Sequence, residues 1–176
     1  METCEINLDD KIEGYRCFVG NSKIVYLKAT MATYLELGRR LHAIYGCSVI
    51  CVLGFGPIEN DKNIIDDFIS RHHIADAELF YFSHAQGCRD GLELAAIGLS
   101  FKKMVLVNMP LKETFDQIVE RIKAVPEIKV FAIFSEKSTS CERCSLLKEN
   151  CLENLEIVTS RDVYHNRKIA IELLCV

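Results

Sequence analysis

The sequence of 176 residues contains no apolar run near the ~20 residues that a membrane-spanning helix needs. The first residues, Met1-Glu2-Thr3-Cys4-Glu5, lack the basic and apolar pattern of a secretion signal. Basic residues are not in excess: 21 Lys and Arg stand against 25 Asp and Glu, the formal net charge is -4, and no basic stripe runs along the chain. We therefore expect a cytoplasmic protein that binds neither membranes nor nucleic acid.

The chain also lacks internal repeats, low-complexity tracts, interdomain linkers and any large insertion between its apolar segments. Its composition, 49% hydrophobic and 26% charged, is typical of a soluble globular protein. A chain of this length can bury a core without disulfides or metals. We predict a single domain over residues 1–176, without a lid domain.

The nine cysteines cannot form a complete set of intrachain disulfides, because their number is odd. In a cytosol they would stay reduced. Most are expected to pack as small hydrophobic side chains, such as Cys47, Cys51 and Cys175, which lie within apolar runs.

One cysteine pattern, Cys141-Glu142-Arg143-Cys144 followed by Cys151, suits a metal ion or a redox pair. Zinc prefers four thiolate or imidazole ligands, and His165 could add a fourth ligand to these three thiols. The second CxxC of a typical zinc module is missing. Free thiols on a surface helix are therefore the default interpretation, and no cofactor is expected.

The adjacent histidines His72 and His73 follow a predicted helix. Neighbouring residues at a helix end point in different directions, so these two cannot bind one ion together as an i, i+4 pair can. We expect them to interact with the negative end of the helix dipole.

Short apolar runs alternate with longer segments of helical periodicity throughout the chain. Strands are predicted for residues 4–8, 12–19, 23–27, 47–53, 78–82, 103–107, 129–134 and 155–158. Helices are predicted for residues 34–45, 61–72, 88–99, 114–124 and 142–151, and residues 168–176 fit either. The first two strands form a hairpin, and Gly46 ends the first helix. This alternation predicts an α/β protein of three αβα layers, with a mostly parallel, doubly wound sheet.

The segment Ser83-His84-Ala85-Gln86-Gly87 lies between an apolar strand and a helix. A strand, a sharp turn and a helix are the setting of the nucleophile elbow G-x-S-x-G, in which small residues let the strand and helix approach closely. In this segment Ala85 occupies the position of the nucleophile, and Gly87 keeps the last glycine.

The pentapeptide resembles the elbow of the α/β-hydrolase superfamily, and the similarity extends over about residues 23–165. The resemblance implies a hydrolase-type sheet and a Ser-His-acid triad. It places the histidine at His165 and the acid at Ser138, in the turn Ser135-Glu136-Lys137-Ser138; the alternative acid position, one strand earlier, carries Asn108. Of the three catalytic groups, only the histidine is kept.

The same resemblance implies an oxyanion hole made by the backbone N–H of Gln86 and by one from the loop at Thr30. Backbone donors survive the loss of any side chain. The crevice at the carboxyl ends of the strands could therefore still bind a small carbonyl or carboxylate ligand. A protein partner or a homodimer is compatible with the sequence as well.

We interpret the chain as a catalytically degenerate α/β-hydrolase-like protein, a pseudoenzyme with a binding or interaction role. One alternative is an active carboxylesterase or thioesterase type of serine hydrolase, seen with its serine replaced by alanine or using an unusual nucleophile such as Cys88. In that case Glu136 is a candidate for a displaced acid. A second alternative is a metal or redox module at Cys141, Cys144 and Cys151.

Overall fold

The computed structural model describes residues 1–8, 11–29, 33–53, 56–150, 152–161 and 163–175. Eight strands form one mostly parallel sheet, and helices alternate with most of the strands. The predicted α/β fold class is thereby confirmed. By their internal contacts the residues divide into two compact units, Met1–Phe80 and Tyr81–Val176. The prediction of a single domain stays a prediction.

The first unit begins with an antiparallel hairpin, as predicted, in which β1 pairs with β2. Strand β2 then pairs antiparallel with β4, and β4 pairs parallel with β3, so that the order along the sheet is β1-β2-β4-β3. The strands and helices of this unit are β1 (Glu2–Leu8), β2 (Lys11–Phe18), β3 (Asn21–Ala29), α1 (Thr33–Tyr45), β4 (Cys47–Leu53) and α2 (Ile58–Arg71).

The second unit contains the order β5-β6-β7-β8, with β6, β7 and β8 parallel to one another. Its first strand, β5, begins at Glu78, and the first three residues of this strand belong to the first unit. The elements are β5 (Glu78–His84), α3 (Gly87–Ala96), β6 (Phe101–Val107), α4 (Leu111–Lys123), β7 (Lys129–Ser135), a 3-10 helix (Cys141–Arg143), α5 (Cys144–Glu149), β8 (Leu155–Ser160) and α6 (Val163–Cys175).

Several element boundaries differ from the predicted ones. Strand β5 continues through Ser83 and His84, which the sequence pattern placed in the turn. Helices α2 and α4 each begin about one turn earlier than predicted, directly after Pro57 and Pro110. Proline lacks an N–H and has a fixed φ, so it fits the start of a helix without the loss of an internal hydrogen bond.

The last element, which the sequence left open between strand and helix, is the helix α6. Gly46 ends α1 as predicted: its φ is +65°, and its N–H donates to the carbonyl of His42 at 2.8 Å. Glycine adopts this left-handed conformation without the steric cost that a Cβ brings.

The core lies along the central strands, whose residues are almost continuously buried in β4, β6 and β7. Such strands are apolar on both faces, as expected when a parallel sheet is covered on both sides. A charged pair interrupts the core of the first unit: the ammonium of Lys28 on β3 contacts the carboxylate of Asp61 on α2, and both are buried. The hydroxyl of Tyr26 donates to the same carboxylate at 2.5 Å.

None of the helices within the described residues is both long and apolar enough to cross a bilayer.

Candidate functional site

The turn between β5 and α3 is sharp and is built around Ala85. This residue has a φ of +51°, in the left-handed region that residues with a Cβ avoid. Two hydrogen bonds hold the turn, because the N–H of Ala85 donates to the carbonyl of Val107 at 2.9 Å and its own carbonyl accepts from the N–H of Cys88 at 3.0 Å. The half-buried Ala85 therefore stands at the tip of a strand-turn-helix elbow.

The elbow is narrow because α3 lies against Tyr81 of its own strand. A Cβ built on Gly91 would come within 2.2–2.7 Å of the Tyr81 ring. The Tyr81 hydroxyl donates to the carbonyl of Gly87 at 2.7 Å, at the start of the helix. Glycine at position 91 is thus required for the close approach that an elbow needs.

The end of α3 that faces the turn offers backbone donors. The exposed Gln86 is the residue that precedes the helix, and its N–H comes before the first hydrogen bonds of the helical segment. The first N–H groups of a helix have no partner within it and lie at the positive end of its dipole. The second predicted donor, Thr30, lies outside the described residues.

A chain of polar side chains runs across the carboxyl ends of the strands in the second unit. The amide Nδ2 of Asn108 lies 3.3 Å from His84 Nε2 and 3.2 Å from Ser135 Oγ. The same Ser135 Oγ accepts from Asn166 Nδ2 at 2.7 Å, and the hydroxyl of Ser160 donates to Asn166 Oδ1. We call His84, Asn108, Ser135, Asn166 and Ser160 the strand-end network.

The topology of the sheet explains why these residues meet. His84, Ser135 and Ser160 are the last residues of β5, β7 and β8, and Asn108 directly follows β6. Ser135 and Ser160 are partners in the β7–β8 register. In parallel sheets the carboxyl ends lie at one edge, where ligands of open α/β folds bind.

Asn108 orients its amide toward the histidine of this network. The N–H of Ser135 donates to Asn108 Oδ1 at 2.9 Å, so the amide nitrogen Nδ2 faces His84 Nε2. The five members of the strand-end network are two amides, two hydroxyls and one imidazole.

The predicted acid position, Ser138, lies three residues beyond this network in a turn. Its hydroxyl accepts from the N–H of Ser140 at 3.2 Å, and its N–H donates to the carbonyl of Ser135 at 2.8 Å. These contacts organise the turn before the 3-10 helix. In the part of the chain that the structure describes, the residue that joins the strand-end network from the end of β7 is Ser135, and the neighbouring Glu136 is exposed.

The predicted histidine, His165, lies in the first turn of α6, and its side chain is outside the described residues. The next residue, Asn166, is 1% exposed and belongs to the network. The backbone of α6 therefore brings this segment to the carboxyl ends of the strands.

Cys88 does not have the environment of a nucleophile. The side chain is fully buried in the first turn of α3, and its Sγ lies 3.4 Å from the carbonyl of Val107. Burial raises the pKa of the thiol to about 12. At neutral pH almost none of it is the thiolate that attacks carbonyl carbon.

The CxxC segment places Cys141 on the 3-10 helix and Cys144 at the start of α5. Burial and the nearby Cys141 raise the pKa of Cys144 to about 12, and both are free thiols. The third predicted ligand, Cys151, lies outside the described residues. Among the described residues, the side chains that lie close enough together to bind one metal ion are in the first unit.

Sequence inspection named Asn108 only as an alternative acid position, and it missed Ser135, Asn166 and Ser160 as members of a network. The sequence nevertheless contained a signal of this network. Each of β6, β7 and β8 ends in, or is followed by, a small polar residue after an apolar run. In a parallel sheet, such residues converge at one edge.

No protein-family model and no curated protein sequence matches the chain. Solved structures do match it. A thioesterase domain from the curacin biosynthetic pathway covers 100% of this chain and 99% of its own, with a TM-score of 0.73 and 11% identity. An esterase domain of a Rhodothermus marinus protein covers 98% and 95%, with a TM-score of 0.75 and 9% identity. A Pyrococcus furiosus esterase covers 98% and 89%, with a TM-score of 0.73 and 12% identity.

At this level of identity the similarity concerns the fold. The chain has the α/β-hydrolase fold over nearly its full length, and these three similar structures are a thioesterase and two esterases.

Proposed function

We propose that this chain, which has the α/β-hydrolase fold, binds a small carbonyl or carboxylate ligand at its elbow and does not cleave it. The observation that carries the proposal is Ala85 at the tip of the turn, with its φ of +51°. Enzymes of the α/β-hydrolase superfamily have their nucleophile at this position. A methyl group has neither a lone pair nor a proton to give up, so it cannot form an acyl-enzyme.

The strand-end network supports the loss of hydrolytic chemistry. A triad needs an anion that stabilises the imidazolium as it forms. The predicted acid position, Ser138, and the alternative acid position, Asn108, both carry neutral side chains. Cys88, the nearest thiol to the turn along the chain, is buried and protonated.

Ligand binding needs less than catalysis does. The N–H groups at the start of α3, where the residue Gln86 is exposed, can donate to a carbonyl or carboxylate oxygen. Their geometry depends on the strained turn and not on the side chain at position 85. An enzyme-like oxygen-binding site can therefore persist after the nucleophile is gone.

The binding proposal is tested by amide NMR of the full chain titrated with butyrate, butyramide and butylamine. We expect butyrate and butyramide to shift the resonances of Gln86 and Gly87, while butylamine, which offers no acceptor oxygen, leaves them in place. Equal shifts with all three compounds, or none with any, would contradict the proposal.

A second candidate is hydrolysis of an ester or thioester, and the comparisons favour it, since the matched structures are esterases and thioesterases. Hydrolysis requires that a residue other than Ala85 is the nucleophile, or that alanine stands in this sequence in place of a functional serine. In both cases His165 is the candidate base.

The two candidates are separated by the hydrolysis of p-nitrophenyl acetate and of an acyl thioester. For the non-hydrolytic protein, we expect the unaltered chain and the Ala85→Ser variant to show no turnover above a heat-denatured control. Turnover by the unaltered chain that falls 100-fold or more in His165→Ala, the scale of a lost general base, supports the hydrolase. The exposed His73→Ala is the matched control. Activity that appears only in Ala85→Ser supports an enzyme that has lost its serine.

A further inference from the structure

Four potential metal ligands come together in the first unit, at the start of the hairpin. Glu2 and Cys4 lie on β1, Cys17 lies on β2, and His72 directly follows α2. One ligand atom from each residue lies within 4.8 Å of the corresponding atoms of the other three. We propose that Cys4, Cys17, His72 and Glu2 bind one zinc ion.

The strand register explains how the hairpin provides three of these ligands. Cys17 is paired with Glu2, and Cys4 is paired with Tyr15. Paired residues and residues two apart share one face of a sheet. Glu2, Cys4 and Cys17 therefore project from the same face of the hairpin, with Tyr15 at the fourth corner.

Helix α2 delivers the histidine over this face. The hydroxyl of Tyr15 donates to the carboxylate of Asp67 at 2.7 Å, and its ring meets the ring of Phe68 edge to face at 6.4 Å. The ring of Phe68 in turn lies 4.7 Å from that of His72. These contacts set the position of the imidazole at the end of the helix.

The imidazole has an unused ligand atom. Its Nε2 is buried and has no hydrogen-bond partner among the described residues. A buried polar atom without a partner costs free energy, and natural proteins keep few of them. A cation bound between the histidine and the two thiols would give this nitrogen its partner.

The separation of the two sulfur atoms fits zinc. Cys4 Sγ and Cys17 Sγ lie 3.7 Å apart. Two thiolates that each bind a tetrahedral zinc at ~2.3 Å are separated by roughly 3.8 Å. All the ligand atoms lie within 4.8 Å of one another, which exceeds this edge by at most roughly 1 Å.

A disulfide between the same cysteines fits less well. Cys4 and Cys17 are diagonal neighbours in the hairpin, not a directly paired couple. Diagonal neighbours have Cα atoms about 7–8 Å apart, whereas disulfides usually join Cα atoms about 4.4–6.8 Å apart. Both residues are free thiols.

The donor set also selects the metal. Two thiolates, one imidazole and one carboxylate form a mixed soft and borderline set with four ligands, which matches zinc better than magnesium or calcium. All four positions are supplied by the protein, as in a structural site. The exposed side of the cluster, at Glu2, gives the ion a path of entry from solvent.

The proposal is tested on the full chain, stripped of metal with a chelator under reducing conditions and then titrated with zinc or with cobalt(II) as a spectroscopic probe. We expect one ion per chain, a tetrahedral cobalt spectrum with thiolate charge-transfer bands, and a higher Tm with zinc. Cys17→Ser and His72→Gln should weaken zinc binding more than about 100-fold, since even outer-shell changes weaken metal sites 10–100-fold.

If the buried variants do not fold, the exposed Glu2→Gln variant still tests the site. It should weaken zinc binding while leaving the circular dichroism spectrum unchanged. Cys141→Ser is the matched control, because it removes a cysteine of the CxxC segment and should bind zinc as the unaltered chain does. The proposal is overturned if the unaltered chain takes up no zinc, if Cys141→Ser alone abolishes uptake, or if Cys4 and Cys17 stay joined by a disulfide in the presence of both reductant and zinc.

Discussion

At the scale of single residues, the molecule keeps the backbone of an elbow and lacks the side chain that would make it reactive. Ala85 adopts a positive φ although it has a Cβ. Strain of this kind persists only where the surrounding structure imposes it. Here the hydrogen bonds of Ala85 with Val107 and Cys88 impose it.

Replacement of Ala85 by glycine should therefore stabilise the protein. Relief of about 1–2 kcal/mol of left-handed strain is partly offset by the ~0.4–1 kcal/mol of extra unfolded-state entropy that glycine brings. We expect the free energy of unfolding, measured in urea, to rise by about 0.5–1 kcal/mol. The control Ala95→Gly lies within α3 and should lower it by ~1 kcal/mol. A loss of stability in Ala85→Gly would show that the turn is not strained.

The strand-end network should contribute to stability through its buried members. Asn166→Ala removes two buried hydrogen bonds, one with Ser135 and one with Ser160, and Asn166 is 1% exposed. A hydrogen bond contributes about 0.5–1.5 kcal/mol, so we expect a loss of roughly 1–3 kcal/mol in the free energy of unfolding.

The matched control for this prediction is Asn150→Ala. In the unaltered chain the amide of Asn150 donates to the carbonyl of Leu146 at the surface. Surface changes of this kind stay within about 0.5 kcal/mol. Equal effects of the two substitutions would mean that the network adds nothing beyond a surface hydrogen bond.

At the scale of secondary-structure elements, the packing of β5 against α3 decides the shape of the elbow. Gly91 has no space for a side chain beneath the ring of Tyr81, whereas the nearest contact of a Cβ built on Gly56, among the described residues, is Asn60 Nδ2 at 3.8 Å. The two glycines therefore differ in what they tolerate, although the sequence alone treats them alike.

Gly91→Ala should destabilise the protein by about 1–3 kcal/mol, the usual cost of overpacking. Gly56→Ala should instead leave stability unchanged or raise it by ~0.4–1 kcal/mol, because alanine has less entropy to lose on folding. Thermal unfolding followed by circular dichroism measures both. If Gly91→Ala matches Gly56→Ala, the helix can move away from the strand and the elbow is not closely packed.

Strand and helix assignments at this scale could largely be predicted, because they depend on local periodicity. Gly46 ended α1 as expected, and the hairpin of β1 and β2 was found. Strand β5 ran further than expected because Ser83 and His84 look like turn residues, yet the parallel sheet extends through them. Local preference yields to pairing with neighbouring strands.

At the scale of the whole molecule, the negative net charge is the property most relevant to partners. Proteins that bind nucleic acid must neutralise phosphates, and this chain carries four more acidic than basic residues. Charge alone says nothing about the fold. It bears on which large ligands the molecule attracts.

We expect no binding of a labelled DNA duplex even at about 50 mM salt, where phosphate contacts are strongest. Fluorescence anisotropy of the duplex measures this, and a basic DNA-binding protein is the positive control. Binding that weakens steeply as salt is added would reveal a basic surface that the scattered Lys and Arg residues do not suggest.

The sequence by itself determined the α/β class, the order of its strands and helices up to β8, and the identity of residue 85, because periodicity and composition are local properties. Only the tertiary structure decided which distant residues meet. It brought Asn108, Ser135 and Asn166 to one edge of the sheet, and it placed His72 over Cys4 and Cys17. The physical reason is that strand register and helix packing fix contacts between residues far apart in the chain, and no spacing along the sequence records them.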